Sequence, residues 1–265
     1  MSELLDHGPR PMEAKPAVVE LDPKRVLDKE DFATQADYVA MSVASGADAE
    51  AGKHEAYVEW VANEPHPELK KFARLMVFAP DAMAAAETIS ELLEHEKQSA
   101  LLPSEAEALA KAKKGSCEFN HLLYELIVEH EEQLPKIKLK AWLTRASGGD
   151  EVWAGKIVAG AAAEVAAGKE LAKVPGLTGL RHSTVAEDLE GRDFVFDVTP
   201  SGDWFVDIKT GDDRPEQPVT RNDQFGHIEL NVRGGHLDRT GYAVGPDLAN
   251  GYVDELTKAL MTPKS

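Results

Sequence analysis

The sequence predicts an α+β protein in which a helical N-terminal half precedes a small β-sheet. Two observations carry this. From about Lys29 to Leu171 apolar residues recur at helical spacing in an Ala-rich background, as in Leu69, Phe72, Ala73, Met76 and then Met83, Ala86, Ile89, Leu92, Leu93. After Pro175-Gly176 the texture changes to aromatic and β-branched residues set between Gly and Pro turns. With 265 residues and 43% hydrophobic content, the chain has enough apolar material for one large or two modest cores.

Taken in order, residues 1–28 contain Pro9, Pro11, Pro16 and Pro23 without sustained periodicity and read as an irregular arm, with Val18 to Leu21 as a candidate short strand. Residues 29–148 read as a helical domain punctuated by Pro65, Pro80, Pro103 and Pro135. Within it, Ser104 with Glu107 has the spacing of a capping box. Asp150 is a candidate N-cap for a helix running to Leu171. A soft boundary falls near residue 148, at Ser147-Gly148-Gly149, so that residues 149–265 form the second domain. Phe194 to Val198, Trp204 to Ile208, Ile228 to Val232 and Tyr242 to Val244 read as strands, and Leu248 to Leu260 as a closing helix.

Charge and cysteine usage exclude several classes. The net charge is −18, from 47 acids against 29 bases, and neither half is basic: from Arg181 onward there are 16 acids and 9 bases. Such a surface opposes non-specific attraction to phosphate backbones, so a nucleic-acid partner needs a local basic surface or bound cations. The single Cys117 excludes an internal disulfide framework and a multi-cysteine zinc site. The apolar runs are far shorter than the roughly 20 residues of a membrane span, and the N-terminus has early acids rather than a basic start; the expectation is a cytoplasmic chain with no membrane partner.

The chemistry-bearing segment runs from Gly191 to Gly211. Pro200-Ser201-Gly202 suits a three-residue hairpin loop, which sets Thr199 opposite Asp203, Asp197 opposite Phe205, Val195 opposite Asp207 and Asp193 opposite Lys209. Because side chains alternate, Asp193, Asp197, Asp207 and Lys209 share one face, while Phe194, Phe196, Trp204, Val206 and Ile208 share the other. Adjacent carboxylates repel unless a cation lies between them, and hard oxygen donors suit Mg²⁺ or Mn²⁺. A metal so held, with a lysine beside it, has the make-up of a phosphodiesterase site. On residues alone, the bland alternative is a solvated strand pair with alternating charges.

Asp193 followed fourteen residues later by Asp207-Ile208-Lys209 resembles the PD-(D/E)XK nuclease superfamily. With Gly191-Arg192-Asp193 and the ending Thr210-Gly211, the motif is most similar to the RecB-like branch, although Gln224 is followed four residues on by Ile228 where that branch carries Tyr. The resemblance covers about residues 150 to 260. It implies a restriction-endonuclease-like, four-stranded mixed sheet flanked by helices, Mg²⁺ (or Mn²⁺) as cofactor and DNA as substrate. It assigns Asp193 and Asp207 as metal ligands and Lys209 as the group assisting the attacking water. Asp197 is the alternative first acid. Family members take a further acid from the helix before the hairpin, and Glu164 is the candidate, seven residues after Ile157 and three after Ala161 on one helix face.

Weaker signals surround this. Glu118-x-x-His121 has no second copy and reads as a polar helix edge rather than half of a di-iron site. His227 and His236 match no standard metal spacing. Lys136, Lys138 and Lys140, with Lys111, Lys113, Lys114, Arg145 and Lys156, form the one basic concentration, suited either to a phosphate backbone or to the acids of neighbouring helices. No Gly-rich phosphate loop or Gly-x-Ser-x-Gly elbow occurs. The rival expectation is a non-catalytic acidic adaptor that binds a protein partner through its helical half.

Overall fold

In the computed structural model the described residues are 27–47, 66–198, 202–210, 219–222 and 226–261. The candidate strand at Val18 to Leu21 lies outside them, as does nearly all of the expected arm. Seven helices and a five-stranded sheet make up the described chain, in the α+β class that the sequence predicts.

The helical half comprises α1 (Lys29–Ala47), α2 (Pro67–Gln98), α3 (Pro103–His130) and α4 (Lys136–Ala146), followed by α5 (Glu151–Leu171). Helix α2 continues across Pro80, which therefore does not end it. Its sequence pattern explains this, since Leu75, Met76, Ala79 and Ala82 on either side of the proline are all buried on one stripe. Helix α3 opens at Pro103, before the expected Ser104–Glu107 box. The Glu105 carboxylate accepts the Leu102 N–H at 2.7 Å and satisfies that donor. Asp150 caps α5 as expected, its Oδ1 accepting the N–H groups of Val152 and Trp153 at 2.9 and 2.8 Å.

Packing among these helices centres on three rings. Phe72 meets Phe32 and Trp142 edge-on, with centroids 5.6 and 5.1 Å apart. The Trp142 indole N–H is not left bare; it donates to Asp37 Oδ1 at 2.8 Å.

The sheet follows: β1 (Leu177–His182), a short helix α6 (Val185–Asp188), β2 (Phe194–Val198), β3 (Gly202–Thr210), β4 (Val219–Asn222) and β5 (His227–Val232), closed by α7 (Pro246–Met261). Strand order is β1-β2-β3-β5-β4, and only β3 and β5 run parallel, so the sheet is mixed. Strands β1 and β4 and helix α6 add to the sequence expectation. Tyr242 to Val244 is not a ladder strand: Val244 forms only an isolated bridge to Leu237.

Phe194, Phe196, Val198, Trp204, Val206, Ile228 and Leu230 turn one sheet face to α5 and α7, where Ala163, Ala166, Ala167, Tyr252 and Leu256 meet them. Arg221 of β4 lies over the Trp204 ring at 5.0 Å and donates to the Ala259 carbonyl, fastening the sheet edge to α7. Helix α5 also contributes Trp153, Ala154, Val158, Ala161, Ala162 and Val165 to the core of the helical half. An Ala-rich helix buries surface on both sides because its small side chains let neighbours approach. The boundary near residue 148 falls in the α4–α5 turn, where Gly148 and Gly149 take φ of +82° and +108°.

Candidate active site

The hairpin of β2 and β3 pairs Phe194 with Val206, Val195 with Phe205, Phe196 with Trp204, Asp197 with Asp203 and Val198 with Gly202. This corrects the expected register by two residues. Gly202 belongs to β3, so the connection is Thr199-Pro200-Ser201, which lies outside the described residues. A shift of two preserves which face each side chain occupies, so Asp193, Asp207 and Lys209 stay on one side, but Asp207 now lies level with Asp193 instead of Val195.

Asp193 sits just before the ladder. Its N–H donates to the Val206 carbonyl at 2.8 Å, and its Oδ2 accepts the N–H of Ile208. The carboxylate thus replaces the next backbone acceptor and is held against β3. Asp207 pairs through Oδ2 with the Lys209 ammonium, two residues along the same face. Neither partner is fully solvated, with side-chain exposures of 15% and 32%. Asp197 is not part of this group. It is exposed, four residues or roughly 13 Å along β2, and opposite Asp203.

Glu164 extends from α5 into the same region, with Oε2 3.4 Å from His182 Nε2. The acids act on one another electrostatically. Burial first, then the Asp188 charge, pushes the Glu164 carboxyl up to about 8, with Asp207 adding and His121 opposing. Burial first, then Glu164, pushes Asp193 up to about 8, against the stabilising bond from Ile208. The three acids named from the sequence are therefore near enough to sense one another, and the arrangement is one that a positive charge would relieve. Among the described residues, however, no group of three or more His, Cys, Asp or Glu side chains is arranged to hold a metal ion.

Around the acids lies a second tier that the sequence reading did not identify. His121 of α3 pairs with Asp188 of α6 at 3.3 Å, and that bond raises the histidine's pKa against the cost of burial. His121 thus lies on a polar helix edge that faces the candidate acids, while Glu118 pairs with Lys114 at 3.7 Å. Burial and the nearby His121 charge push His182 down to about 4, so this imidazole is neutral at ordinary pH. Cys117, one turn before His121, is part-buried and its thiol is pushed up to about 12 by burial and Asp188, which disfavours the thiolate. A groove of about 570 Å³ between α2 and α3 borders this tier through His121 and Val185.

Other sequence candidates are engaged elsewhere. His227 stacks on Phe205 with centroids 4.7 Å apart, and His236 Nδ1 lies 2.6 Å from the Tyr252 hydroxyl. Several basic residues face acids of neighbouring helices: Lys140 is 3.8 Å from Glu151 and Arg145 3.9 Å from Asp37. Lys111, Lys113, Lys138 and Lys156 remain exposed. Among the described residues no helix is long and apolar enough to cross a membrane.

No family model matches the chain, and neither a curated protein nor a solved structure matches it.

Proposed function

We propose that this protein is a divalent-cation-dependent phosphodiester hydrolase acting on DNA, with Asp193, Asp207 and Glu164 as the acids that hold Mg²⁺ or Mn²⁺. The observation that carries the reading is a pair of acids set into the fold, Glu164 and Asp193, whose carboxyls are pushed up by burial first and by neighbouring charge second, Glu164 acting on Asp193 and Asp207 on both, with Asp207 itself paired to Lys209. Crowded carboxylates cost stability when no cation separates them, and a fold keeps such an arrangement where it serves a ligand. Hard carboxylate oxygens fit Mg²⁺ or Mn²⁺ by donor chemistry. Such an ion supplies Lewis-acid stabilisation of the phosphoryl oxygens and lowers the pKa of a bound water. Asp193 and Asp207 bind and orient. The Lys209 ammonium, brought to the site by its pairing with Asp207, neutralises charge that develops on the phosphate. The strand-to-strand bond from Ile208 keeps Asp193 in place without a metal.

A second reading, the non-catalytic acidic adaptor, is favoured by two observations: the net charge of −18 and the lack of a ready three-donor cage among the described residues. One experiment separates the two. The full chain is incubated with linear, nicked and single-stranded DNA across a Mg²⁺ and a Mn²⁺ titration. Cleavage that depends on the cation and is removed by chelation supports the hydrolase; intact DNA under every condition leaves the adaptor.

A further inference from the structure

A second groove, of about 740 Å³, lies where three separate parts of the chain meet: the start of α1, the α3–α4 connection and the loop between β5 and α7. Its walls are fastened to one another. The Tyr242 hydroxyl donates to the Leu134 carbonyl at 2.7 Å and ties the loop to the connection. Asp238 Oδ1 accepts the N–H groups of Thr240 and Gly241, both at 3.0 Å, and shapes the loop tip. Gly241, at φ +82°, lets the Lys136 stem cross it, since a Cβ there would lie 2.6 Å from Lys136 Cδ.

Three bases and three acids line the groove, but they are not equally engaged. Asp28 caps α1, its Oδ1 accepting the N–H groups of Glu30 and Asp31 at 3.0 and 2.9 Å. Glu131 pairs with Lys169. That leaves Glu132, which is exposed, as the one lining acid without a partner among the described residues. On the other side of the balance, and again among the described residues, the Lys29 and Lys136 ammonium groups and the Arg239 guanidinium take part in no ion pair and no hydrogen bond. In a chain of net charge −18, three bases left without a carboxylate around one cavity suit an anion from outside. Lys136 is half-buried, and that burial lowers its pKa, as it does for any ammonium lacking a counter-charge. Beside the bases, Pro135 and Ile137, the latter 85% exposed, form an apolar rim. The volume is that of a small-molecule site.

We propose that this groove binds a small phosphomonoester, its anionic head held by Lys29, Lys136 and Arg239 and its apolar body lying along Pro135 and Ile137. A phosphate head carries about two negative charges and three acceptor oxygens, enough to engage three basic groups, and its oxygens match the guanidinium fork. A carboxylate, with one charge and two oxygens, leaves part of the basic set unused. The inference is independent of the hydrolase reading, because none of the candidate acids lines this groove.

The test is isothermal titration calorimetry of the full chain, without divalent cations, against phenyl phosphate, inorganic phosphate, benzoate, phenol and a single-stranded oligonucleotide. Three variants accompany the wild type: Lys136→Met, which keeps a stem across Gly241, Arg239→Ala, and Lys156→Ala, an exposed lysine of α5 outside the groove. The expected result is that phenyl phosphate binds the wild type and Lys156→Ala alike, with inorganic phosphate weaker and benzoate and phenol weaker still. Lys136→Met and Arg239→Ala should each lose about tenfold in affinity for phenyl phosphate, the effect of removing one hydrogen bond to a charged group. Arg239 is exposed, so its variant keeps the test open should Lys136→Met fail to fold. A wild type that takes up no phenyl phosphate at millimolar concentration overturns the inference, and so does benzoate or phenol bound as tightly as phenyl phosphate. Unchanged affinity in the groove variants, or an equal loss in Lys156→Ala, overturns it as well. An oligonucleotide bound through Lys136 and Arg239 while phenyl phosphate is ignored overturns it in favour of a nucleic-acid strand.

Discussion

The carboxylate of Asp193 accepts a hydrogen bond from the backbone N–H of Ile208, taking the place a strand carbonyl would occupy at the open end of the β2–β3 ladder. The same side chain therefore has a structural and an electrostatic role, and substitution can separate them. Asp193→Asn keeps an acceptor for Ile208 and removes the charge. At pH 8 its melting temperature should equal or exceed that of the wild type, while Mn²⁺ binding is lost. Asp193→Ala removes the acceptor and should cost about 1–3 kcal/mol, the penalty for an unsatisfied, part-buried N–H. Urea unfolding of both variants checks the contrast.

The raised carboxyls of Glu164 and Asp193 give stability a pH dependence of known sign. A carboxyl whose pKa is higher folded than unfolded holds more protons in the folded state, so its stabilisation is greatest at low pH. It is lost as pH rises from the unfolded value of about 4 towards the folded value of about 8. Without divalent cations, these two groups should therefore lower the melting temperature between pH 5 and pH 8 by an amount that the Glu164→Gln, Asp193→Asn double variant lacks. Comparing the two proteins across pH by differential scanning calorimetry isolates that contribution.

Divalent cations should reverse the trend. A ligand bound by the folded state alone stabilises it by mass action, and a cation competes with protons for the same oxygens. Mn²⁺ should raise the melting temperature more at pH 8 than at pH 6, and Mg²⁺ should do so less strongly. A shift produced equally by monovalent salt would identify general screening of an acidic surface instead.

Asp207→Ala should abolish cation-dependent DNA cleavage without unfolding the chain, because it removes one member of a repelling group and leaves Lys209 solvated. Circular dichroism and a cleavage assay run together test this, and wild-type cleavage by the variant would take Asp207 out of the mechanism.

Gly168→Ala tests the packing beneath the site. The added methyl would meet the Phe194 ring at 3.0 Å, tighter than ordinary contact, so either the ring or α5 must give way. Overpacking of this kind costs about 1–3 kcal/mol, and chemical denaturation should register it.

How far the sequence revealed this arrangement depended on where each signal lay. Phe194, Phe196, Val198 and Trp204, Val206, Ile208 recur at every second position in short aromatic and β-branched runs, so the hairpin and its buried face were legible from composition and parity, although Val195 and Phe205 on the other face are apolar too. The register was not, because the turn residues permit more than one loop. An error of two residues kept Asp193 and Asp207 on one face, whereas an error of one would have separated them. Glu164 was legible as an acid on an apolar helix flank. His121, His182 and Asp188 were not, because they come from three elements joined only by tertiary packing. Strand β1 reads Leu-Thr-Gly-Leu-Arg-His, with little β-branching and no alternation, and gives a weak strand signal. One local sign of its surroundings was available: Thr184 and Glu187 form a capping box, with the Glu187 carboxylate accepting the Thr184 N–H at 2.8 Å. That box opens the short helix α6, which carries Asp188.

The double burial of α5 has a consequence for how the protein comes apart. A helix whose two flanks belong to different neighbours cannot be released by one and kept by the other without exposing a strip of alanine, valine and tryptophan to water. Denaturation is therefore expected as a single cooperative event reported alike by Trp142 fluorescence on one side and Trp204 on the other. A fragment beginning at residue 149 would carry the Trp153, Ala154, Val158 and Ala162 strip uncovered, and its expected fate is self-association.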